Sequence, residues 1–114
     1  MNPIPGGITV PKGFQAAGVC CGLKKESKDL ALIYSEKPAV AVGMFTANRV
    51  KAAPVLVTME HLRDGKAQAI LINSGNANAC TGKRGLKDAR CLAESVAQEL
   101  GISALDVLIA STGV

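Results

Sequence analysis

The sequence predicts an α/β domain built of packed layers, and three observations carry that reading. Nearly half of the 114 residues are apolar, yet there is no Trp, one Tyr and two Phe. A core made of Ala, Val, Leu and Ile suits close packing of helix on sheet. The second half of the chain runs strand, loop, amphipathic helix, strand, the order of a βαβ unit. The first half is a series of short apolar runs set between turn residues. A chain of this length is one domain or part of one, and folding alone would bury about two-thirds of its unfolded surface.

In order along the chain, an irregular arm carries Pro3, Pro5, Gly6 and Gly7. Pro11-Lys12-Gly13 marks a turn before a strand over Phe14 to Val19, and Gly22 to Asp29 is a Lys-rich loop. Leu30–Ser35 and Ala39–Phe45 read as two strands joined by a turn at Glu36-Lys37-Pro38. That spacing fits an antiparallel hairpin, since a parallel return needs a dozen residues or more. Pro54–Thr58 reads as a third strand, followed by a helical turn at His61-Leu62 and a turn at Asp64-Gly65.

Ala67 to Asn73 encloses the run Ala69-Ile70-Leu71-Ile72 and predicts a central strand. From Gly85 to Leu100, the residues Leu86, Ala89, Ala93, Val96, Ala97 and Leu100 recur at three-and-four spacing, which predicts a helix stopped by Gly101. Ser103 to Asp106 is a polar turn, and Val107–Ala110 is the last strand.

Charge and composition exclude several function classes. The net charge of +4 is mild and its basic residues are scattered apart from Lys24-Lys25 and Lys83-Arg84. Nucleic-acid binding calls for a basic stripe, and for exposed aromatics where single strands are held, so no nucleic acid is expected. No apolar run approaches the roughly 20 residues of a spanning helix, and no secretion signal stands at the N-terminus. The chain therefore reads as cytoplasmic, without a membrane partner.

Cys20, Cys21, Cys80 and Cys91 contain no CxxC pair, and the one histidine is His61, so no metal is expected. All four cysteines are read as small buried or half-buried residues of a reducing compartment. Thr58 resembles a helix N-cap, which makes His61 a surface residue rather than a catalytic base.

Two polar segments follow apolar strands and draw attention as sites. They are Asn73-Ser74-Gly75-Asn76-Ala77-Asn78-Ala79-Cys80-Thr81-Gly82 and Ser111-Thr112-Gly113. Where a strand empties into a Gly-containing loop, backbone N–H groups become available. A hydroxyl of Ser111-Thr112 and the adjoining Gly113 amide could together hold an oxyanion, each donor contributing about 3 to 4 kcal/mol to an acyl-transfer transition state. The same residue types are common in ordinary capped turns, and from the residues alone that reading is the favoured one. The asparagine-rich loop suits an Asx turn or an anion-binding loop, but it is neither a Walker loop nor GxGxxG. Ser74, Thr81 and Thr112 are candidate nucleophiles, yet none has an activating neighbour in sequence, and His61 fits no hydrolase triad.

Five ordered blocks together carry a resemblance. They are Val10–Gly18, Asp29–Ser35, Thr46–Val55, Asn73–Gly82 and Ala110–Val114. In these blocks, and so over nearly its whole length, the chain resembles the start of the bacterial ornithine acetyltransferase (ArgJ) family. The resemblance implies the layered α/β fold of the DmpA and ArgJ group, with helices flanking sheets, incomplete in this chain. Residues 1–114 would be the N-terminal part of the α-chain domain.

The activity it implies is that of a glutamate N-acetyltransferase in arginine biosynthesis, a multifunctional acyltransferase that cleaves itself into α and β chains. The new N-terminal Thr of the β chain takes acetyl from N2-acetylornithine and passes it to glutamate. Its own amine acts as the base, so no histidine is needed. Thr112 and Gly113 match the family's oxyanion hole, and the Asn73–Gly82 loop would shape the floor of the site. The nucleophilic Thr lies outside this chain. The expected partners are the remainder of the α chain and the β chain in an α2β2 heterotetramer.

No cofactor is expected beyond acetyl-CoA as a co-substrate if the enzyme is bifunctional. An N-terminal fragment alone should be inactive, with a sheet edge unpaired after its last strand and apolar surface uncovered. Two alternatives are a non-catalytic α/β domain that binds a small anion and the aminopeptidases of the same fold.

Overall fold

The apolar run Ala69–Ile72 forms the middle of a four-stranded sheet. The computed structural model describes residues 1–114. Its strands are β1 (Phe14–Val19), β2 (Leu30–Val40), β3 (Lys66–Ser74) and β4 (Val107–Thr112), and its helices are α1 (Ala53–His61) and α2 (Gly82–Leu100). The sheet order is β1-β2-β3-β4. The first two pairings are antiparallel and β3 pairs parallel with β4, so β3–α2–β4 is the expected βαβ unit.

The core lies between α2 and one face of the sheet. Alternation places Ala69 and Leu71 of β3 beside Val107 and Ile109 of β4 on that face. Ala93 and Ala97 of α2 pack on them, with Leu30, Leu32, Tyr34, Val96 and Leu100 around the rim. Alanines four apart bring the helix axis close to the sheet. A second, smaller cluster joins Ala53 and Val57 of α1 to Ala89 of α2. The opposite sheet face carries the half-buried Ile33, Ile70 and Ile72 and the buried Leu108.

Several expectations are corrected. Leu30–Ser35 and Ala39–Phe45 are not a hairpin: residues 30–40 form one strand whose register with β3 shifts between Tyr34 and Ala39. The Glu36-Lys37-Pro38 punctuation makes a bulge rather than a reversal, with the Ser35 hydroxyl donating to the Lys37 carbonyl at 2.6 Å.

Pro54–Thr58 is helix, not strand. Pro54 sits in the first turn, where its missing N–H costs nothing, and Ala53, Pro54, Val57 and His61 face inward at helical spacing.

As expected, β4 is an edge strand with no strand partner on its outer side. Helix α1 lies along part of that edge, and its side chains take up backbone groups of Val107 and Ile109. The Thr58 hydroxyl donates to the Ile109 carbonyl at 2.9 Å and accepts from the Ile109 N–H at 3.1 Å. His61 Nδ1 lies 2.8 Å from the Val107 carbonyl, and since a carbonyl only accepts, this nitrogen carries the proton. Thr58 is therefore no N-cap and His61, 7% exposed, no surface residue.

Candidate functional site

Parallel pairing sends β3 and β4 out of the sheet at the same end, so the two polar segments meet. Asn73 stands beside Ser111 and Ser74 beside Thr112. Beyond the ladder, the N–H groups of Gly75 and Asn76 both donate to the Thr112 carbonyl, at 3.0 and 3.1 Å. Gly113 lies hard against this turn at φ +122°. A Cβ there would sit 2.7 Å from Asn76 N and 2.8 Å from Gly75 Cα, so only glycine fits.

The asparagines of the loop hold it in place. Asn73 Nδ2 donates to the Asn76 carbonyl at 2.8 Å. Asn78 Nδ2 donates to the Gly85 carbonyl at 2.9 Å, and its Oδ1 accepts from the Thr81 hydroxyl. Its carbonyl accepts from Ala53 N–H, which ties the loop to both helices. Thr81, offered by the sequence as a nucleophile, is thus engaged in this anchor. Two amides that an anion would need are already spent on Thr112, which weighs against an anion-binding loop.

What the site presents outward is the Thr112 side chain and the Gly113 amide. Both residues are exposed and neither group is hydrogen-bonded within the chain. By strand alternation Thr112 lies on the face of Ile72, Ser74 and Leu108, away from α2. Ser111 faces the other way, into a cleft of about 440 Å³ that Asn73, Asn78, Thr81 and Asp88 also line. A hydroxyl and an adjoining glycine amide at a strand end can stabilise a developing negative oxygen.

The nearby Asp29 and Cys21 are engaged with each other and the backbone of their own loop. Asp29, 3% exposed, accepts the backbone N–H of Cys21 at 2.6 Å and of Lys24 at 2.9 Å. These donors, Cys21 first, hold its carboxyl well below the usual carboxylate range. The hydrogen bond to Asp29 in turn pushes the Cys21 thiol up, which keeps it protonated at neutral pH. All four cysteines are exposed rather than buried, because each lies in a loop or on the outer face of α2. Thr58 and His61 are structural participants that pattern reading missed, since their partners are backbone groups remote in sequence, whereas Asp29 closes the local Lys-rich loop that precedes it.

The profile of the ArgJ family matches residues 15–114. The chain belongs to the ArgJ family. It is 58% identical over its whole length to the arginine biosynthesis bifunctional protein ArgJ of Caldanaerobacter subterraneus subsp. tengcongensis, and covers 28% of that protein. The ArgJ bifunctional protein of Bacillus subtilis is 48% identical over 97% of the chain, again 28% of the relative.

Among solved structures, ArgJ of Bacillus halodurans superposes with a TM-score of 0.93 at 46% identity, over 96% of this chain and 58% of that one. Ornithine acetyltransferase of Mycobacterium tuberculosis, solved in complex with ornithine, gives 0.91 at 47% identity, over 95% and 60%. The chain thus has the α/β fold of ArgJ proteins and spans just over a quarter of the length of the curated relatives it matches. No helix is long and apolar enough to cross a membrane.

Proposed function

We propose that this chain supplies the oxyanion hole of a glutamate N-acetyltransferase that moves acetyl from N2-acetylornithine to glutamate in arginine biosynthesis. The observation that carries the reading is the free Thr112 hydroxyl beside the free Gly113 amide at the end of β4, in a chain of the ArgJ family.

In this reading an N-terminal Thr of the β chain, outside residues 1–114, attacks the acetyl carbonyl. Its hydroxyl proton passes to its own α-amine. The carbonyl oxygen becomes negative and is held by the Thr112 hydroxyl and the Gly113 N–H. Collapse breaks the C–N bond, the proton goes to the departing ornithine amine, and acetyl remains on Thr as an ester. Glutamate's amine then attacks that ester over the same two donors.

Residues 1–114 are the N-terminal part of the α-chain domain in this proposal, within a cytoplasmic α2β2 assembly. The partly exposed Ile33, Ile70 and Ile72 on the sheet face away from α2 support a further layer of protein against the sheet. The exposed Val40, Val42 and Met44 support the same conclusion.

The test is acetyl transfer by the enzyme carrying this chain, with intact-mass analysis of its companions. A companion beginning with Thr and a roughly hundredfold fall in kcat for Thr112→Ala are expected. Unchanged turnover in Thr112→Ala removes Thr112 from the mechanism. Acetyl-CoA offered in place of acetylornithine tests it as a second donor, with formation of acetylglutamate expected for a bifunctional enzyme.

A further inference from the structure

The Thr112 carbonyl and the Gly113 N–H belong to one peptide unit. That unit is trans, and in a trans peptide the C=O and N–H lie in one plane and point in opposite directions. Whatever holds the carbonyl therefore aims the amide. Here two donors converge on it, Gly75 N–H and Asn76 N–H, and two contacts fix the tilt of the plane as well as its direction. The Gly113 amide is left pointing away from β3, past Ile109, the last β4 residue whose backbone groups are held by α1. Hydrogen bonds into the carbonyl also polarise the unit and strengthen its N–H as a donor.

The turn that supplies these donors is itself fixed at two places. Ser74 N–H donates to the Asp29 carbonyl at 2.8 Å, just before the turn. Asn73 Nδ2 closes it by donating to the Asn76 carbonyl at 2.8 Å. The Asn73 side-chain amide is the one side chain that spans the turn, and its donor end faces a carbonyl that can only accept.

We infer that Asn73 is a positioning residue for acetyl transfer: its side chain clamps the Gly75-Asn76 turn, and the turn sets the direction of the Gly113 oxyanion donor. This rests on the acetyltransferase reading above and gives the asparagine-rich loop a task in it.

The experiment uses the complete enzyme with Asn73→Ala, which removes the donor, and Asn73→Asp, which places an acceptor against the Asn76 carbonyl. Acetyl-enzyme is titrated by mass so that kcat is expressed per competent site. Because an oxyanion exists only near the transition state, per-site kcat should fall about tenfold in Asn73→Ala and further in Asn73→Asp, with KM for acetylornithine within about twofold.

A purely structural role would lower the melting temperature or the number of titratable sites and leave per-site kcat unchanged, and that result overturns the inference. If Asn73→Asp does not fold, Asn73→Ala decides. Normal per-site kcat in the Asn73 variants beside a large loss in Thr112→Ala would sink this inference alone. A wild-type enzyme that transfers no acetyl from acetylornithine to glutamate would sink both readings.

Discussion

Replacing Thr58 by Val keeps the shape of the side chain and removes its hydroxyl. That hydroxyl serves two backbone groups of Ile109, accepting from the N–H at 3.1 Å and donating to the C=O at 2.9 Å. Both groups face α1 on the outer edge of β4, so in Thr58→Val they are stranded between helix and strand. An unsatisfied buried polar group costs about 1–3 kcal/mol, and the extra buried methyl offsets part of the sum, leaving about 2–4 kcal/mol. Thr58→Ser keeps the hydroxyl and loses one methyl, at a cost of about 1 kcal/mol.

Native-state hydrogen exchange reads the difference directly, because the Ile109 amide is protected by this contact. Each 1.4 kcal/mol is tenfold in an opening equilibrium. Exchange at Ile109 should therefore accelerate roughly 30- to 700-fold in Thr58→Val and about fivefold in Thr58→Ser, with β1 little changed. Equal protection of Ile109 in the two variants would refute the claim that the hydroxyl closes the strand edge.

Two further outcomes are expected. Gly113→Ala should lower stability by about 2 kcal/mol or more, since a Cβ would meet the backbone of Gly75 and Asn76 within 2.8 Å and the φ of +122° is unsuited to alanine. A thermal melt of the complete enzyme checks it, and a melting temperature equal to wild type contradicts the close approach.

Asp29→Asn should destabilise the protein at neutral pH and less so in acid. The Asp29 carboxyl is held below the usual carboxylate range, so its contribution is full above the unfolded value of about 3.9 and is lost as pH falls through the depressed folded value. Melting temperatures of both proteins from pH 7 downward test this. A gap that stays constant below pH 4 would count against it.

Where local pattern and tertiary environment agree, the fold is legible from sequence. The continuous run in β3, the alanine-and-leucine stripe of α2 and the short run of β4 each bury what their periodicity says they should. Helix α1 is where the two part company. Val55, Leu56, Val57 and Thr58 have the look of a strand, and what makes them helical is an appointment elsewhere: Val57 against Ala89, and Thr58 and His61 against the backbone of β4. No local propensity encodes a partner that is a strand edge some fifty residues away.

The bulge of β2 is a milder case, since Pro38 punctuates without reversing the chain. Of the candidate site, Thr112 and Gly113 stand out through the five blocks of resemblance. The clamp on the Thr112 carbonyl does not, because its donors are main-chain amides that every residue type carries.

Since β3 and β4 run parallel, their ends come together only after the 19-residue α2 has been laid across the sheet. Closing so long a connection precedes any reward from the contacts it brings, so pairing of this kind belongs to the slow part of folding. The clamp of the Gly75 and Asn76 amides on the Thr112 carbonyl is accordingly assembled late. A chain whose α2 has yet to dock holds two solvated loops where the site will be, and neither polar segment cut out as a peptide would keep the arrangement.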